Sequence, residues 1–197
     1  MFVPHHPRRA VLRARRRAVR STPVSAPQNP TRSERTIDAA IEVRVVDPRS
    51  DLAAVVLDDL EREYDLRYGD IATEPASAEI TRYPAERFVP PDGVFLVLLR
   101  ESVVVAGGAF MRLDQNTAEF KRIWTHPGHR RQGLSRTVLD ALERAAADLG
   151  YTRVFLTTGP RQPEAVALYD ATGYERVDPP AGDHRGVHAF AKSLVAG

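Results

Sequence analysis

A chain of 197 residues is long enough for one domain with a proper core. It has no cysteine, which excludes disulfides, thiolate metal sites and a cysteine nucleophile. Its longest apolar run, Val103 to Met111, suits a buried strand and is too short to span a bilayer, so a soluble, cytoplasmic protein with no membrane partner is expected. The basic character is local: residues 1–36 hold nine of the 28 basic residues and one of the 26 acidic ones, which leaves 19 and 25 to the rest.

That first stretch is rich in arginine and proline and poor in large apolar side chains, so residues 1–37 read as a disordered extension ahead of a domain over 38–197. Three roles compete for it. It can be a targeting segment, although it lacks the apolar core of a secretory signal. It can contact nucleic acid or another anionic surface through counterion release. The favoured reading is an extension of little consequence, and a nucleic-acid partner is not expected.

From Ile37 onward the pattern is that of a globular domain. Ile41 to Val46 alternates as a strand and is closed by Asp47-Pro48. Ser50 or Asp51 can cap a helix carrying Leu52, Val55, Val56, Leu57 and Leu60. Tyr64, Tyr68 and Tyr83 follow, suited either to packing or to facing a ligand. Val94 to Leu99 and Val103 to Met111, joined at Glu101-Ser102, read as a hairpin. Gly107-Gly108 within it marks a bulge or a close backbone approach, and Asp114 to Asn116 turns the chain into a third strand.

That third strand leads into the most informative stretch, Ala118 to Ser135. Phe120, Ile123, Trp124 and Thr125 are strand formers, and Pro127-Gly128 stops them. His129-Arg130-Arg131-Gln132-Gly133-Leu134-Ser135 then runs into a helix to about Leu149, with Leu134, Val138, Leu139, Leu142, Ala145 and Ala146 at helical spacing. Gly150 ends it. A helix N-terminus has unpaired N–H groups and partial positive charge, so a pyrophosphate can rest there if no side chain blocks it. Gly133 and the small Ser135 leave it clear, and Arg130, Arg131 and Arg136 add charge. A basic turn with one glycine is also a common solvated helix start. Beyond it come a strand over Arg153 to Thr158, a helix from Pro163 to Gly173, and a last strand pair, Tyr174 to Val177 and Val187 to Leu194.

The segment His-Pro-Gly-His-Arg-Arg-Gln-Gly-Leu-Ser resembles the acetyl-CoA motif of the GNAT superfamily of N-acetyltransferases, Arg/Gln-x-x-Gly-x-Gly/Ala. Here it reads Arg130-x-x-Gly133-x-Ser135, with serine in the last small position. The stretch from Arg161 to Tyr174 is similar to a second signature, a helix with Ala-x-x-Leu-Tyr that ends at Gly-Phe/Tyr. The resemblance implies an α/β GNAT fold: a mixed, mostly antiparallel central sheet of about seven strands flanked by helices, in the order βααβββαβαββ. That is the order found along the chain.

The resemblance also implies roles. Amides from Arg131 to Arg136, spanning Gln132, Gly133, Leu134 and Ser135, would hold the phosphates of acetyl-CoA, with Arg130 beside them. The backbone of Ile123, Trp124 and Thr125 matches the segment that pairs with pantetheine and polarises the thioester oxygen. Glu119 matches a glutamate that serves some members as general base, with partnership to Lys121 or Arg122 as the alternative. A carboxylate beside an apolar cleft is a better base for its raised pKa. Tyr169 matches the tyrosine that protonates the departing sulfur, against a rival role in the core. Thr157 stands where enzymes acetylating ribosomal proteins usually carry glutamate, which favours a small-molecule amine over a protein acceptor. With no cysteine, direct transfer in a ternary complex fits better than an acyl-enzyme. The six histidines lack metal-ligand spacing, so no metal is expected. A homodimer is common in the superfamily. An acyl-CoA-binding module without catalysis is the rival from another class.

Overall fold

Residues 41–72, 75–179 and 186–194 are described in the computed structural model; the N-terminal extension and most of the expected loop from Pro179 to Arg185 lie outside them. The described residues all belong to the unit Asp38–Gly197. Their strands are β1 (Glu42–Val45), β2 (Val94–Arg100), β3 (Val103–Arg112), β4 (Thr117–Thr125), β5 (Arg153–Thr158), β6 (Glu175–Val177) and β7 (His188–Ser193). The helices are α1 (Asp51–Tyr68), α2 (Ala76–Thr81), α3 (Leu134–Asp148) and α4 (Pro163–Asp170). In chain order they follow the expected βααβββαβαββ. No helix among the described residues is long and apolar enough to cross a membrane.

The strands form one sheet in the order β1-β2-β3-β4-β5-β7-β6. Neighbours are antiparallel except β4 and β5, which are parallel because α3 carries the chain back between them. The β2 run is apolar throughout because both of its faces are covered. Val94, Leu96 and Leu98 pack with Val138, Leu139 and Leu142 of α3. Phe95, Val97 and Leu99 pack with Val56 and Leu60 of α1. Each such side chain contributes about 1.5–3 kcal/mol through burial, so the two layers are held mainly by this alternation. Glu101 and Ser102 join β2 to β3 with φ of 51° and 68°, the paired left-handed conformation of a tight hairpin. Ser50 caps α1 by accepting from the Ala53 N–H at 3.3 Å.

Two irregularities shape the middle of the sheet. Gly107 pairs with Trp124 but Ala109 with Lys121, so one residue of β3 faces two of β4. The extra residue is Arg122, at φ 60°, and not the glycine pair that the sequence marked. The glycines instead serve close approach: a Cβ on Gly107 would lie 2.9 Å from Val56 Cγ2, and one on Gly108 2.8 Å from Val138 Cγ1. The second irregularity is a split. The β4–β5 register ends at Phe120 opposite Leu156, and beyond it the strands run on without pairing each other.

Candidate acetyl-transfer site

The turn after β4 presents backbone, not side chains, to its open face. His126 Nδ1 accepts from the Gly128 N–H at 3.1 Å and starts a short 3₁₀ turn over Pro127–His129. Arg131 and Gly133 then take φ of 64° and 80°. Two left-handed residues separated by one other turn the chain sharply into α3. A Cβ built on Gly133 would meet nothing within 4 Å, so the space in front of the turn is open. No side chain caps α3, and its free N–H groups carry the positive end of the helix dipole. An anionic diphosphate fits this chemistry.

The side chains of the turn have other tasks. Arg130 donates to Glu63 Oε2 of α1 at 2.9 Å and to the Thr125 carbonyl at 3.2 Å. Gln132 accepts from Arg100 at 2.7 Å, and Leu134 is buried in the α3 layer. Ser135 is half-buried, while Arg131 and Arg136 are exposed beside the turn. On β4, Ile123 packs toward α3. Trp124 is buried toward α1, where its indole N–H donates to Asp59 Oδ2 at 2.7 Å. The Thr125 hydroxyl is buried without a hydrogen-bond partner among the described residues.

Beside the split, on the α1 and α2 side of the sheet, lies a cleft of about 610 Å³. Tyr64, Tyr68 and Tyr83 all line it, which gives these tyrosines a wall to form as well as neighbours to pack. Glu119 and Lys121 project into it from β4, and Thr157 from β5. Glu119 is 7 % exposed and bound to Lys121 Nζ at 2.8 Å, so the pair faces the cleft and little else. Tyr169 is buried on α4 against Phe190 and Tyr174, with ring centres 5.3 Å and 5.6 Å away. Burial pushes its phenol pKa well up, with a smaller contribution from Tyr64 across the site. It therefore holds its proton throughout the neutral range.

Residues 56–174 match the Acetyltransferase (GNAT) family. The chain belongs to that family. An acetyltransferase of the GNAT family from Staphylococcus aureus Mu50 has the same fold, with a TM-score of 0.64 and 15% identity over 79% of this chain and 100% of that one. The PaiA N-acetyltransferase of Thermoplasma acidophilum, solved in complex with coenzyme A, gives a TM-score of 0.60 and 19% identity over 78% and 99%. Human N-acetyltransferase 8 is 30% identical over 115 residues, 55% of this chain and 49% of the relative. The chain spans about half the length of the curated relatives it matches.

This GNAT chain has site features that the sequence did not signal. Glu63 accepts from Arg67 through Oε1 at 2.6 Å and from Arg130 through Oε2 at 2.9 Å. Arg67 also pairs with Glu164 of α4 and donates to the Arg161 carbonyl at 2.6 Å. Helix α1 is thus tied both to the turn before α3 and to the segment leading into α4. These contacts join residues far apart in the chain, and no local pattern announces them. Arg122, a candidate partner of Glu119 on sequence grounds, is sent elsewhere by the bulge and donates to the Ile80 carbonyl at 2.7 Å.

Proposed function

We propose that this protein is a cytoplasmic N-acetyltransferase that moves an acetyl group from acetyl-CoA to a primary amine of a small molecule, directly within a ternary complex. The observation that carries this reading is a ligand-sized cleft that meets the β4–β5 split on one side of the sheet, with an open, uncapped helix N-terminus beyond the end of β4. Acetyl-CoA, when bound, supplies an activated acetyl thioester.

The chain's own groups would do the rest. Amides from Arg131 to Ser135 hold the phosphates, the Arg136 N–H being spent on the Gly133 carbonyl at 3.0 Å, and the side chains of Arg131 and Arg136 add charge. The backbone of Ile123 to Thr125, unpaired on the β5 side, offers N–H groups to the pantetheine arm and to the thioester oxygen. Glu119 takes a proton from the acceptor ammonium, and Lys121 keeps that carboxylate in place. The amine nitrogen bonds to the acetyl carbon as the carbon–sulfur bond breaks, and its second proton passes to solvent, which restores the proton that Tyr169 gives up. Tyr169, which retains its proton at neutral pH, gives it to the departing sulfur.

Calorimetric titration of the full chain with acetyl-CoA, followed by thiol release against a panel of small amines, tests this. One thiol released per acetylated amine is the expected result. Tight binding with no thiol release for any amine would leave a binding module and end the catalytic reading.

A further inference from the structure

At the inner end of the cleft is a small polar recess of about 80 Å³. It shares Tyr64, Glu79, Tyr83, Lys121 and Thr157 with the cleft and adds Arg122. In a regular strand, consecutive side chains point to opposite faces. The β4 bulge breaks that rule and puts Lys121 and Arg122 on the same side, both lining the recess. The arrangement is achieved with a left-handed arginine, a conformation that glycine or asparagine adopts at lower cost.

The charges around the recess do not balance. Glu119 is matched by Lys121 at 2.8 Å, and Glu79 by Arg82 at 2.9 Å. Arg122 stacks over the Phe88 ring at 4.0 Å and spends one donor on the Ile80 carbonyl. Among the described residues no carboxylate lies within ion-pair distance of it. A guanidinium has five N–H donors in a planar fork that suits a carboxylate. Burial pulls its pKa below the usual arginine value, partly offset by Tyr64 and Glu79. Such a group stays charged in proteins and gains most from an arriving anion.

Resting on the acetyl-transfer reading above, we propose that the acceptor is an amino acid whose carboxylate docks on Arg122 in this recess. The recess is lined by Phe120, the last β4 residue paired with β5, and by Thr157, the first β5 residue past the split. A carboxylate held there lies beside the point where the thioester arrives, so it sits only a few bonds from the amine. Tyr64, Tyr68 and Tyr83 then face the side chain, which favours apolar and aromatic amino acids.

The test uses the full chain, acetyl-CoA and each apolar or aromatic amino acid beside its amide and its decarboxylated amine. The free acids should exceed their amides in kcat/KM by about tenfold to a hundredfold, the usual worth of a charged hydrogen bond. Arg122→Gln should abolish that preference with acetyl-CoA affinity unchanged, and Arg122→Lys should keep part of it. Amides or amines used as well as the acids overturn the proposal, and that comparison needs no variant to fold. Equal losses for acid and amide in Arg122→Gln overturn it too. If no panel member releases thiol the proposal fails, and thiol release with other small amines then separates its failure from that of the acetyl-transfer reading.

Discussion

The side proposed for the cofactor and the side proposed for the acceptor are built from different material. Around Gly133 the chain offers main-chain N–H groups in an open turn, and only small or outward side chains stand near them. Around Glu119 the wall is made of side chains: tyrosines, two matched ion pairs and Arg122, which has no carboxylate within ion-pair distance among the described residues. A backbone site binds whatever has the right charge and shape and tolerates drift in sequence, as Ser135 in a Gly/Ala position illustrates. A side-chain site is specific to its ligand, and one substitution can change it. The difference is what a shared cofactor and a particular acceptor would demand.

Substitutions can break this contrast, and the largest effect belongs to the backbone side. Gly133→Glu places bulk and negative charge in the open turn and should raise the acetyl-CoA Kd about a thousandfold. Gly133→Asn, which tolerates a left-handed φ, should be spared; an equal loss in calorimetry would mean that bulk, not charge, decides. On the side-chain side, Glu119→Gln should cut kcat about a hundredfold with acetyl-CoA Kd unchanged. A loss of affinity instead would mean that the Glu119–Lys121 pair shapes the cofactor side too.

Smaller effects sharpen the picture. Tyr169→Phe should lower kcat about tenfold, and it also has a stability signature. Burial raises the folded pKa of Tyr64, Tyr169 and Tyr174. The stability this carries is present below the unfolded value of about 10 and is lost as pH climbs toward the folded values. Melting temperatures should therefore fall above about pH 10, less steeply in Tyr169→Phe. A flat alkaline profile in the parent would contradict the burial of these phenols. Smallest of all, Glu63→Gln should weaken acetyl-CoA binding by less than about fivefold, since the Arg130 end of the pair is open to solvent, which screens it. A larger shift would show that Arg130 depends on α1 for its position.

The fold was largely legible because its cues are local. The unbroken apolar runs of β2 and β3 announce a two-sided sheet, Ser50 and Pro163 mark helix starts, and Gly150 marks a stop. The turn at Arg130 to Ser135 was legible for the same reason, being contiguous. The bulge was not. Its left-handed residue is an arginine, which carries no such signal, while the neighbouring glycines drew attention to β3. Nor could Trp124 be linked to Asp59, 65 positions away, or Arg130 to Glu63, 67 away, since nothing in the spacing couples them. The cleft brings together Tyr64, Glu79, Lys121 and Thr157 from four separate elements, so its character emerges only in three dimensions.

Gly107 and Gly108 offer a practical handle. A methyl group on the first would press on Val56 of α1, and a methyl group on the second on Val138 and Leu142 of α3. Two adjacent codons thus address opposite layers of the protein, each by a wedge of one carbon. A pair of alanine variants there would let an engineer nudge the α1 layer and the α3 layer separately, the second also pressing on Ile123, 2.9 Å from the added carbon.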